Sequence, residues 1–197
     1  MGHNHNHNHN HSHQLTKNIR LAFFLNLSFA ILEIFGGIYT NSLAIISDAV
    51  HDLGDSLSLG MAWYLEKYSH KQSDSTFSYG YRRLSSLAAL INILILLTGS
   101  LYVIYQAIPR IINPEPTDAK GMILFAILGV AVNTIAMLRL SKTSSLNGRV
   151  VAWHLLEDAL GWVAVLLVSI VLLFTDLYIL DPILSIAIAA YILYNAI

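Results

Sequence analysis

The sequence predicts an all-α fold: a polytopic membrane protein of six transmembrane helices, with both termini in the cytoplasm. Three observations carry that expectation. Of the 197 residues, 55% are hydrophobic and only 12% charged, where soluble domains carry about 25% charge. The apolar residues gather into six runs, each near the roughly 20 residues that cross about 30 Å of hydrocarbon. The remaining charges lie between the runs and are unevenly shared. With a cytoplasmic N-terminus, the inner segments hold nine basic residues: Lys17, Arg20, Lys67, Lys71, Arg82, Arg83, Arg139, Lys142 and Arg149. The outer segments hold two, Arg110 and Lys120. Basic residues in short loops stay on the cytoplasmic side.

The spans follow in order. Span 1, about Asn18–Tyr39, carries Asn26 and Glu33 on one helix face, placed to line a polar cavity. Thr40-Asn41-Ser42 leaves room only for a tight hairpin before span 2, Leu43–Tyr68. Residues 69–83 form an inner loop whose run Phe77-Ser78-Tyr79-Gly80-Tyr81-Arg82-Arg83 suits the membrane interface, where Tyr and Arg anchor. His70, in the same loop, reads as solvated. Span 3, Leu84–Ile108, is followed by Pro109, Pro114 and Pro116, which are expected to stop the helix. Span 4, Gly121–Leu140, holds Asn133, expected to make an interhelical hydrogen bond. Spans 5 and 6, Val150–Thr175 and Leu177–Ile197, are separated by Asp176 alone.

Residues 1–14 stand apart. His3, His5, His7, His9, His11 and His13 alternate with polar residues, a pattern that cannot build a packed core and reads as a disordered cytoplasmic segment. Its functional reading is a weak metal collector beside the transmembrane domain, residues 15–197, the alternative being an expression tag, against which the alternation of His with polar residues argues. The absence of cysteine excludes disulfides and thiolate metal sites. A net charge of −1 gives no reason to expect nucleic acid. No basic region followed by an apolar stretch and small-residue cleavage site opens the chain, so no cleaved signal peptide is expected.

Span 2 contains what a lipid-facing helix should not. Ser47-Asp48-Ala49-Val50-His51-Asp52-Leu53-Gly54-Asp55 places Asp48, His51, Asp52 and Asp55 within an arc of about 100°. An ionisable group at the bilayer centre costs about 2.5–3.5 kcal/mol even on the lenient insertion scale. The stripe must therefore face protein, water or an ion. Span 5 repeats the pattern in Ala152-Trp153-His154-Leu155-Leu156-Glu157-Asp158, and both spans read A-x-H-x-L-x-D-x-L. Each is the second span of a three-span half, the arrangement of an inverted repeat around a midplane site. A single His or Asp in a span is often only a polar contact between helices. Two copies of one spacing argue for more.

Side chains at i and i+4 lie about 5–6 Å apart at Cβ, so His51 with Asp55, and His154 with Asp158, can each reach one ion. Two such helices face to face give two nitrogens and two oxygens, a tetrahedral set suited to Zn2+. Cadmium, cobalt and nickel compete for such donors, whereas calcium and magnesium prefer oxygen shells. Asp48, Asp52 and Glu157 read as groups beside the ion's path rather than as ligands.

Residues 15–197 resemble the cation diffusion facilitator family of metal/proton exchangers. The resemblance rests on the run Asn41–Asp55, on Tyr79-Gly80-Tyr81-Arg82-Arg83, on His154 with Asp158, and on Tyr191-Ile192-Leu193-Tyr194. His51 on span 2 is similar to the zinc-selective branch, where cadmium-tolerant members carry Asp. The resemblance implies efflux of Zn2+ from the cytoplasm against inward protons, usually by a homodimer, with His51, Asp55, His154 and Asp158 as the transport site. It also implies a multi-pass location in a bacterial inner membrane. Some relatives hold a second metal in the loop after span 2; Asp74 matches, but Phe77 and Tyr81 replace its histidines, so that site is not expected. The family's usual cytoplasmic C-terminal domain would follow Ile197, where this sequence stops: either the sequence is truncated or it is that of a member without the domain.

Two other readings are weaker. A metalloenzyme needs an open coordination position and a general base, and four protein ligands without a His-Glu-x-x-His pattern offer neither. A membrane metal sensor or storage protein would work through the His-rich N-terminus. Deleting residues 1–13 separates it from a transporter, which keeps most of its activity.

Overall fold

The computed structural model describes residues 8–68, 82–141 and 146–196. They form six helices: α1 (Asn8–Thr40), α2 (Leu43–Tyr68), α3 (Arg82–Ile112), α4 (Ala119–Ser141), α5 (Leu146–Phe174) and α6 (Leu180–Ala196). A helix covers each of the six expected spans, and α2 has the bounds read from sequence. Helix α1 starts ten residues ahead of its span, so the last part of the His tract belongs to it. The aromatic inner loop, His70, Asp74 and Lys142 lie outside the described residues.

Two connections differ from expectation. Pro109 does not end α3, which runs on to Ile112. Only one backbone hydrogen bond is lost so close to the helix end, and Asn113 N–H still closes a turn on Pro109 O at 2.8 Å. Between α5 and α6 the turn occupies residues 175–179, not Asp176 alone. One residue reaches at most about 3.6 Å, too short to join packed helices whose axes lie about 8–10 Å apart. The α1–α2 hairpin is as tight as its sequence suggests. Asn41 turns the chain with φ of 55°, a left-handed conformation that Asn adopts more readily than most residues.

Helix α1 packs mainly along α2 and α4 mainly along α5, while α3 lies against α2 and α6. The axes of α2 and α5 meet only narrowly. The core is built around Trp162 with Ala44, Ile45, Met122, Ala126, Val165 and Leu172. Phe29 meets the Trp162 ring edge-on at 6.1 Å. Small residues let helices approach closely in a bilayer, and Gly129 is the sharpest instance: the Trp162 ring lies where a Cβ would stand. Gly129→Ala should therefore force Trp162 out of place and cost about 1–3 kcal/mol. A lowered melting temperature of the detergent-solubilised protein checks this; an unchanged one refutes it.

The outer surface is apolar, with Phe35, Leu124 and Phe174 all well exposed. Segments Arg20–Thr40, Ala89–Ile112, Ala119–Arg139 and Ala152–Phe174 are each long and apolar enough to cross a membrane. Helix α6 is apolar but has 17 residues, about 25 Å at 1.5 Å per residue. Helix α2 is long enough, and its apolar run is broken by Asp48, Asp52 and Asp55. Every backbone polar group must be satisfied within the hydrocarbon, and helices do so internally. The chain is a multi-pass membrane protein.

Candidate metal centre

The i, i+4 spacing places His51 and Asp55 on one face of α2, and His154 and Asp158 on one face of α5. The fold turns those two faces toward each other. His154 Nε2 and Asp55 Oδ2 are 2.6 Å apart across the gap. His51 Nε2 stands 3.6 Å from Asp55 Oδ2 and 3.6 Å from Asp158 Oδ1. His154 Nε2 is 3.8 Å from Asp158 Oδ2, and the two imidazole centroids are 5.5 Å apart. One ligand atom each from His51, Asp55 and His154 falls within 4.8 Å of the others. Asp158 completes the ring from the α5 side. All four residues expected from sequence are thus brought together.

These spacings suit a small ion. Ligands about 2.0–2.1 Å from a tetrahedral centre lie roughly 3.3–3.4 Å from one another. Three of the four measured separations exceed that edge by a few tenths of an ångström, and the His154–Asp55 hydrogen bond is shorter. Exchanging that hydrogen bond for two metal bonds needs only a small parting of α2 and α5.

The centre forms one wall of a cavity of about 870 Å³ enclosed by α2, α3, α5 and α6. The wall runs from Asp48 past Ser58 and Asn92 to Asn195 and Ala196, the end of α6. It thus extends toward the end of the bundle that holds both termini. Asp48 and Glu157 lie on it, as expected for groups beside the ion's path.

Other expected positions differ. Asn26 and Glu33 are not on this cavity wall. Asn26 Nδ2 donates to Asp52 O at 2.9 Å and to Ser56 Oγ at 3.1 Å, pinning α1 to α2. Glu33 is fully buried on α1, and both its carboxylate oxygens are without a hydrogen-bond partner among the described residues. Asp52 is also buried and off the cavity wall, because it is the outermost member of the stripe, about 40° beyond Asp48 around the helix. Asn133 makes no described bond to another helix; its Nδ2 donates to Gly129 O of α4 at 3.1 Å.

Sequence reasoning passed over three groups. Asn92 on α3 donates from Nδ2 to Ser58 Oγ at 2.9 Å, linking α3 to α2 along the cavity. At the opposite end, Asp181 of α6 is fully buried against the start of α2. Beside it, Arg110 at the end of α3 holds the α1–α2 turn. A lone Asp before Pro182, at the edge of an apolar run, was the available signal for Asp181.

A family model of the cation efflux transmembrane domain matches residues 19–197. The chain belongs to the cation efflux family. Among similar proteins are the zinc transporter ZitB of Pectobacterium atrosepticum, 33% identical over 184 residues, 92% of this chain and 58% of that protein. A cadmium, cobalt and zinc/H(+)-K(+) antiporter of Bacillus subtilis is 37% identical over 197 residues, 98% of this chain and 62% of that protein. The metal cation efflux system protein CzcD of Cupriavidus metallidurans is 34% identical over 179 residues, 90% and 57% of the two lengths. The chain therefore spans about three-fifths of the length of these relatives.

Proposed function

We propose that this protein carries Zn2+ out of the cytoplasm in exchange for protons, with His51, Asp55, His154 and Asp158 as the transport site. The observation that carries the reading is the meeting of two imidazoles and two carboxylates, one pair from α2 and one from α5, on a cavity inside a membrane bundle. Zinc binds neutral imidazole and ionised carboxylate, so metal and protons compete for the same four side chains. The unperturbed His pKa of about 6.5 places that competition near physiological pH.

The cavity reaches the end of the bundle that holds the termini. In this reading the orientation follows the basic residues, that end is cytoplasmic, and the cavity is the route by which metal loads from inside. Release outside then requires the site to be reached from the hairpin end, where protonation displaces the ion. The protein sits, in this reading, in a bacterial inner membrane, works as a homodimer, and uses residues 1–14 as a metal collector. The relatives' names include cadmium and cobalt, and those ions, with nickel, are the expected competitors.

The test is metal flux in proteoliposomes with membrane potential clamped. An imposed pH gradient should drive zinc uptake against its gradient, and binding should release protons in proportion to zinc bound. Flux that ignores the pH gradient would leave a facilitated pathway in place of exchange.

A further inference from the structure

The cavity is open toward the termini, while a set of polar contacts closes the other end. Asp181, at the start of α6, accepts from Ser42 Oγ at 2.5 Å, from Leu43 N–H at 2.8 Å and from Ala44 N–H at 3.3 Å. The first turn of a helix has no intrahelical partners for its N–H groups and carries partial positive charge. A carboxylate from α6 thus satisfies the exposed donors of α2. Arg110, at the end of α3, donates to Asn41 O at 2.9 Å and to Asn41 Oδ1 at 2.8 Å. Both arms therefore grip the same α1–α2 turn. Each comes from the packed pair α3 and α6.

The same pair, α3 and α6, also forms one side of the cavity, facing α2 and α5. It touches the α1–α2 hairpin through these arms at one end; farther along, α3 still packs on α2, where Asn92 donates to Ser58 at 2.9 Å, and the open gap lies toward α5. Rocking that closes the cavity lifts the hairpin ends apart. A fully buried carboxylate is tolerated only while hydrogen-bonded or hydrated, so Asp181 has two stable conditions: engaged and dry, or parted and wet. Intermediate separations are costly, which makes the contact two-state.

We propose that Asp181 and Arg110 form a clasp that shuts the hairpin end of the metal centre, and that parting it switches access from one membrane face to the other. The clasp positions the helices and touches no ion. Its purpose rests on the transport reading above, but its test reads sidedness and not flux, so either can fail alone.

The sequence has no cysteine, so single probes can be placed cleanly. Ser185→Cys, buried one turn beyond Asp181, reports the hairpin face, and Ser58→Cys reports the cavity wall. Each is labelled in oriented vesicles by a membrane-impermeant thiol reagent, from the face it reports. With the clasp intact, Ser58→Cys should react quickly and Ser185→Cys slowly. Adding Asp181→Asn and Arg110→Gln should raise labelling of Ser185→Cys by about tenfold and lower that of Ser58→Cys several-fold, as a shift between two states demands. Merely loosened packing would raise both rates. If the two rates rise together, or if either stays unchanged, the clasp is not the switch.

Discussion

Asp55→Ala should abolish zinc flux and weaken zinc binding by more than about 100-fold, since loss of even an outer partner of a metal ligand costs roughly 10–100-fold. The geometry makes Asp55 the most connected group at the centre. Its Oδ2 alone faces both imidazoles, at 2.6 Å from His154 and 3.6 Å from His51. Asp158 meets the same two rings with separate oxygens, at 3.6 and 3.8 Å. Removing Asp55 deletes the one carboxylate oxygen that, among the described residues, is shared by the two rings, so Asp158→Ala should show the same loss in smaller measure. Titration calorimetry on purified protein measures the affinities, and gel filtration confirms that each variant still inserts and folds. Near-parental affinity in Asp55→Ala would remove it from the ligand set, and a larger loss in Asp158→Ala would reverse the proposed order.

The ligand set was legible in the sequence because the bilayer makes polar residues expensive. A His and an Asp four apart, repeated in two apolar runs, have few structural uses, and the helical repeat fixes which side chains share a face. The polar stripe of α2 was readable for the same reason, since the helical repeat fixes the face it occupies. The contacts between helices were not legible. Asn26, Glu33 and Asp52 looked like cavity groups because periodicity gives a direction around an axis but not which neighbour stands there. Asn26 bonds to α2, and Glu33 is buried off the cavity wall. Asp181 was missed because one acidic residue before a proline at a span edge resembles ordinary interfacial polarity. Only the return of α6 beside the start of α2, 138 positions apart in sequence, gives it a partner. Pro109 misled in the other direction: a proline rule for helix interiors was applied where one turn of helix remained.

His51→Asp should reduce the preference for zinc over cadmium by about tenfold, equivalent to about 1.4 kcal/mol. The centre as built offers two nitrogens and two carboxylates, a borderline-soft tetrahedral set. The substitution leaves one nitrogen and three carboxylates, and the shorter side chain withdraws its donor atom from the ring. A wider, oxygen-rich shell tolerates the longer bonds of a larger ion, whereas zinc loses a nitrogen ligand and its tetrahedral edge. His51 is the position of choice because it is held loosely. Its Nε2 contacts are 3.6 Å each, and its Nδ1 is buried without a hydrogen-bond partner among the described residues. Metal-bound histidines are ordinarily fixed by a hydrogen bond from the second nitrogen, so exchanging His51 disturbs no supporting group. At His154, by contrast, the 2.6 Å bond to Asp55 ties the ring across the α2–α5 gap, and His154→Asp should cost affinity for both ions alike. Competition between zinc and cadmium for the purified protein, read for both variants, separates the two roles. An unaltered preference in His51→Asp would mean that this imidazole does not set the choice of ion.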